Sequence, residues 1–158
     1  MKNIMLMLVV LLVGAGCNVQ DAVTEDPQNK EFTDTGCNRV KADVEGEEVS
    51  LLTLKYQNGD LLVTRTNAIM NCSINNGGIV CEVSFAGSDI YYKVYEKDGP
   101  TLKCLCPVDK MSSKISGLQP GKQYTFHYSC AQEEFAPITF PFEKSLNIIL
   151  DAATLVEK

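Results

Sequence analysis

The side chains in this chain that could do chemistry are few. Seven cysteines stand at Cys17, Cys37, Cys72, Cys81, Cys104, Cys106 and Cys130, and there is one histidine, His127. A single histidine excludes a multi-histidine metal site. His127 lies in the run Tyr124-Thr125-Phe126-His127-Tyr128-Ser129-Cys130. Read as a strand, the run puts Tyr124, Phe126, Tyr128 and Cys130 on one face, and His127 on the other with Thr125 and Ser129. Positions two apart on a strand do not bring a serine Oγ in line with an imidazole, so Ser129 and His127 form no nucleophile–base pair. His127 reads as a surface residue. No two carboxylates are marked out for paired acid–base work. The expectation is a chain that is not an enzyme, with no catalytic residue, no metal and no cofactor.

The cysteines carry more information. Cys72 and Cys81 bracket Asn75-Asn76-Gly77-Gly78. Asn-Gly is the strongest short hairpin signal, because both residues tolerate positive φ. A two-residue turn at Asn76-Gly77 sets Ile74 opposite Ile79, Cys72 opposite Cys81 and Met70 opposite Val83. Counting outward puts the two cysteines at a non-hydrogen-bonded site, where the backbones come closest. That suits the short Cβ separation of a disulfide, so Cys72–Cys81 is the expected bond. Cys104 and Cys106, two apart on a strand, point to one face and need separate partners. The expectation is one bond from this pair to Cys130 and the other to Cys37, with the assignment open. The alternative is a four-thiolate zinc site from Cys37, Cys104, Cys106 and Cys130. Against it, Cys-x-Cys lacks the usual Cys-x-x-Cys spacing, and an exported chain meets oxidising conditions. No Cys-x-x-Cys redox pair is present.

Cys17 is set apart by what precedes it. Lys2 is followed by the apolar run Ile4 to Val13, then by Gly14-Ala15-Gly16. The run is about half of the roughly 20 residues a helix needs to span a bilayer. Residues 1–16 therefore read as a signal peptide. Small residues followed by Cys resemble the lipobox of bacterial lipoproteins, although Gly14 stands where that motif usually has Leu. The resemblance implies that the Cys17 thiol is diacylated and becomes the new N-terminus. It implies export, and lipid anchorage at the bacterial outer membrane or cell surface, where several acyl chains on one residue hold firmly. It also leaves six cysteines, an even number for an exported protein. Ordinary signal-peptidase cleavage is the alternative. The stretch 17–35 is polar and acidic with few large apolar residues, and reads as a lipidated flexible tether. This layout is similar to that of small lipoproteins of Bacteroidetes-type bacteria.

The elements that must position these residues are strands. The chain has 158 residues and a net charge of −6, a length for one domain and a sign that argues against nucleic acid. From residue 36 to 158, apolar residues alternate at period 2 between turn signals. Asn58-Gly59 sets Tyr56 opposite Leu61, Leu54 opposite Val63 and Leu52 opposite Arg65. Ala86-Gly87-Ser88-Asp89 sets Phe85 opposite Ile90 and Val83 opposite Tyr92. Asp98-Gly99-Pro100 gives no good register and reads as a crossing to another sheet. A strand over Thr101 to Cys106 is expected to end at Pro107. The segment Leu118-Gln119-Pro120-Gly121-Lys122-Gln123-Tyr124 resembles the corner of fibronectin type III domains, Leu-x-Pro-x-x-x-Tyr. It implies Leu118 in the core, a turn at Pro120, and a Tyr124 hydroxyl bonded back to backbone.

The reading is an all-β, disulfide-stapled, immunoglobulin/fibronectin-like β-sandwich of about eight to ten strands. A small up-and-down β-barrel is the alternative. Tyr91, Lys93 and Tyr95 share the outer face of their strand, and Tyr91 and Tyr95 form a candidate binding face for a glycan or protein ligand. The expected function is that of a lipid-anchored binding or adhesion module. A small-ligand carrier, with a barrel cavity lined from Leu52, Leu54, Val83 and Tyr92, is the second reading. A hydrolase is the third.

Overall fold

The computed structural model describes residues 27–37, 49–74, 78–99, 103–150 and 155–156. Residues 1–16, expected to be a signal peptide, Cys17 and the Asn76-Gly77 pair lie outside them. The described residues hold ten strands: β1 (Gln28–Asp34), β2 (Leu51–Gln57), β3 (Asp60–Asn71), β4 (Ile79–Ala86), β5 (Asp89–Glu96), β6 (Leu105–Ser116), β7 (Gln123–Cys130), β8 (Glu133–Glu134), β9 (Ile138–Pro141) and β10 (Leu146–Ile149). They form two sheets that do not close into a barrel. The first has the order β1-β6-β3-β2-β10; in the second, β4-β5-β7 is continued by β8 and β9 along the far edge of β7. The protein is therefore an all-β sandwich, and the barrel alternative is overturned.

Local chemistry explains the hairpins. Asn58 (φ 54°) and Gly59 (φ 86°) both take the left-handed conformation that a two-residue turn requires. Tyr56 accordingly faces Leu61, Leu54 faces Val63 and Leu52 faces Arg65. Across the Gly87 turn, Phe85 faces Ile90 and Val83 faces Tyr92. Period-2 alternation then turns Leu52, Leu54, Leu61 and Val63 of the first sheet toward Ile90, Tyr92, Val94, Phe126 and Tyr128 of the second, and all of these are buried. Leu52, Leu54 and Tyr92 thus belong to a packed core between two sheets. The chain crosses from the second sheet to the first between β5 and β6, as the Asp98-Gly99-Pro100 signal implies.

The alternation changes phase once. In β3, inward positions run Leu61, Val63, Arg65 and then Ala68, Met70. In β6 they run Cys106, Val108 and then Met111, Ser113, Ile115. Asn67 takes φ 53° at the shift and is held by its side-chain amide, which donates to the Val49 carbonyl at 3.1 Å. Both strands shift at the same level, so Thr66–Lys110 and Ala68–Val108 remain paired and the ladder resumes.

Three segments depart from the expected pattern. Asn76-Gly77 does not join a hairpin: β3 and β4 lie in different sheets, and Met70 pairs with Cys106 rather than Val83. Pro107 does not end its strand; β6 runs through it, opposite Ile69. The tether does not reach residue 35. Gln28–Asp34 is strand β1 on the edge of β6, bulged at Glu31 (φ 60°), with Phe32 packed against the core. Backbone hydrogen bonding at a sheet edge asks little of side-chain polarity, which is why a polar segment can serve.

Between β6 and β7 the chain turns at Gly117 (φ 82°) and Gly121 (φ 75°). Leu118 is buried, and the buried Tyr124 accepts a hydrogen bond through its hydroxyl from the Gln119 backbone N–H at 2.9 Å.

Candidate binding face and the cysteine network

The disulfides follow the topology. Cys72 is joined to Cys104 and Cys37 to Cys106, with Cα separations of 5.6 and 5.8 Å. The expected Cys72–Cys81 bond is overturned because β3 keeps β6 as its neighbour past its own end: the Cys72 N–H donates to the Cys104 carbonyl at 3.1 Å. Cys104 and Cys106 do take separate partners, and Cys37 is one of them. Cys130 is not the other. It is a buried free thiol whose Sγ lies 3.6 Å from Met70 Sδ. The four cysteines of the zinc alternative are divided in the same way.

Cys81 is the second free thiol among the described residues. It faces Val94, which faces Cys130. Two inter-strand spacings of about 4.8 Å separate Cys81 from Cys130, beyond the roughly 7 Å over which two Cα atoms can be bridged. Cys81 accepts from the Asn29 side-chain amide at 3.7 Å, which ties β1 to β4 across the side of the sandwich. Beside it, the Tyr92 and Ser113 hydroxyls are hydrogen-bonded at 2.7 Å. Burial pushes the Cys81 thiol up to about 11 and raises Cys130 as well. Neither thiol is ionised near neutral pH, so neither is an activated nucleophile.

The outer face of the second sheet is where chemistry-bearing side chains meet water. Strands β5 and β7 pair in parallel, the one parallel pairing among the described strands. The register sets Asp89 beside Thr125, Tyr91 beside His127, and Lys93 beside Ser129. Tyr91 and His127 stack, with ring centroids 4.5 Å apart and planes within 11°. The His127 Nε2 donates to Asp89 Oδ1 at 2.7 Å, which fixes the ring. His127 therefore does point outward with Thr125 and Ser129, and it has two partners that strand alternation alone does not reveal. Tyr91 is 44% exposed. Tyr95 is turned to its own neighbours: its hydroxyl donates to Glu82, and the Lys93 ammonium lies 5.1 Å from its ring centre.

A groove of about 350 Å³ opens beside the stacked pair. Tyr91 and His127 form its aromatic wall, Lys93, Ser129 and Glu134 its polar lining, and Pro137 and Val156 its apolar rim. The rim exists because the chain bulges between β8 and β9, and because Leu155 is bridged to Phe135, so that Val156 comes alongside. Of the two tyrosines expected to form a binding face, Tyr91 lines this groove and Tyr95 does not. His127, Ser129 and Glu134 are the residues that sequence reasoning missed; the parallel register brings the first two beside Tyr91 and Lys93. Compared with family models, curated proteins and solved structures, the chain finds no match.

Proposed function

We propose that this protein is a lipid-anchored, exported binding module that presents the outer face of its second sheet to a ligand. The observation that carries the reading is the stacked Tyr91–His127 pair, braced by Asp89, standing beside a concave groove. Rigid aromatic side chains at a groove bury large area on binding at small entropic cost. The anchor rests on the signal-like segment and Cys17. Export is supported by the two disulfides, which suit an oxidising compartment.

The test has two arms. Intact mass of the protein from its membrane fraction should carry an acyl increment that Cys17→Ser removes. Cells displaying the parent protein should be captured on an array of immobilised glycans and proteins, and Tyr91→Ala or His127→Ala should lose that capture with display level unchanged. Unmodified mass at Cys17 sinks the anchor, and unchanged capture sinks the face.

A further inference from the structure

We infer that the groove takes a neutral pyranose, one or two sugar units of a longer glycan. This rests on the outer face being the binding surface, and goes further by naming the ligand class. Three observations carry it. First, the wall is aromatic and fixed. Tyr91 is stacked on His127 through one ring face and His127 is held by Asp89, so the wall meets a ligand without being reordered. The C–H face of a pyranose packs on such a ring, and its hydroxyls need donors and acceptors at the sides. Second, those are present. Lys93 donates, the Glu134 carboxylate accepts, and the Ser129 hydroxyl does both, all lining one groove. Third, the charges offset. Lys93 and Glu134 line the groove with one charge of each sign. A groove with no surplus charge favours a ligand with none.

The alternatives fit less well. A nucleotide phosphate would meet Glu134 with no arginine to clamp it. An extended peptide gains most from backbone pairing at a sheet edge, whereas this groove lies on a face. At about 350 Å³ it stands at the small end of ligand cavities, which run to roughly 1,000 Å³. That is room for a short stretch of a chain that enters and leaves through open ends.

The experiment uses the full chain in detergent, with maltohexaose, laminarihexaose, cellohexaose and mannohexaose as neutral probes and polygalacturonate as the acidic one. Binding is read by calorimetry. We expect a neutral oligosaccharide to bind, Tyr91→Ala to weaken it by about tenfold, and Ser129→Phe, which fills the floor, to abolish it. Circular dichroism of both variants should match that of the parent. Binding of polygalacturonate alone overturns the inference, and so does neutral binding that survives Ser129→Phe. Failure of all four neutral sugars overturns it too. If the display assay with Tyr91→Ala and His127→Ala still loses capture, the binding face stands and only the ligand class is wrong. If capture is unchanged as well, both readings fall.

Discussion

Replacing Cys72 and Cys104 together by alanine separates the topology seen here from the hairpin that the Asn76-Gly77 turn implies. The bond closes a loop with a sequence separation of 32, and that loop contains the whole excursion of β4 and β5 into the second sheet. Cutting it restores conformational freedom to the unfolded chain. The loop-entropy relation gives about 3.7 kcal/mol for a loop of this length. The Cys37–Cys106 bond encloses it with a separation of 69, so the unfolded ends are already held near each other. The expected loss is therefore toward the lower side, about 3 kcal/mol, or on the order of 10 °C in Tm for a domain of this size. The measurement is urea unfolding of three oxidised proteins: the parent, the Cys72→Ala/Cys104→Ala double variant, and the Cys81→Ala single variant. The double variant should lose about 3 kcal/mol, with a larger m-value because the unfolded chain freed of the cross-link exposes more surface. Cys81→Ala breaks no disulfide but removes the long Asn29 contact, and should lose about 1 kcal/mol or less. A non-reduced proteolytic map should contain a Cys72–Cys104 peptide and a Cys37–Cys106 peptide. A Cys72–Cys81 peptide, or equal losses in the two variants, would refute the pairing.

Three further outcomes are expected. Stability should fall on the alkaline side. Burial lifts Cys81 from its ordinary 9.0 to about 11 and raises Tyr92 and Tyr128 as well, so the folded state keeps protons that the unfolded chain releases. That stability is complete below the unfolded values and is lost as pH rises through the folded ones. The urea midpoint should hold to about pH 8.5 and drop between about 9 and 11, and a midpoint flat to pH 11 refutes the account. Arg65 is buried and inward-pointing; its Nη1 donates to the Thr66 carbonyl, while its Nε has no hydrogen-bond partner. Arg65→Met should leave stability unchanged or raise it, because the desolvation cost of a buried cation is removed; a loss above about 2 kcal/mol in thermal melts contradicts this. Tyr124→Phe leaves the Gln119 N–H without its acceptor and should cost about 1–2 kcal/mol by denaturant titration, whereas a neutral effect means that the corner bond contributes nothing.

What the sequence determined by itself was local. Asn58-Gly59 and Ala86-Gly87-Ser88-Asp89 specify the β2–β3 and β4–β5 registers, because positive φ at the turn and alternation on either side agree on one buried face. The poor register across Asp98-Gly99-Pro100 likewise marks a real crossing. What tertiary structure decided was which strands become neighbours. An Asn-Gly turn is favourable whether it closes a hairpin or carries the chain over to another sheet. The choice between these depends on what else can pair with β3. The 12-residue β6 matches the 12 residues of β3 and continues as far as Cys104, whereas β4 has only 8. The longer ladder satisfies more backbone groups, and the disulfides follow from it. The same holds for β1, whose polar side chains hide a backbone that completes a sheet edge. It holds above all for the outer face of the second sheet. Tyr91 and His127 are 36 positions apart, and only the parallel register of β5 on β7, a pairing between strands distant in the chain, sets one ring against the other.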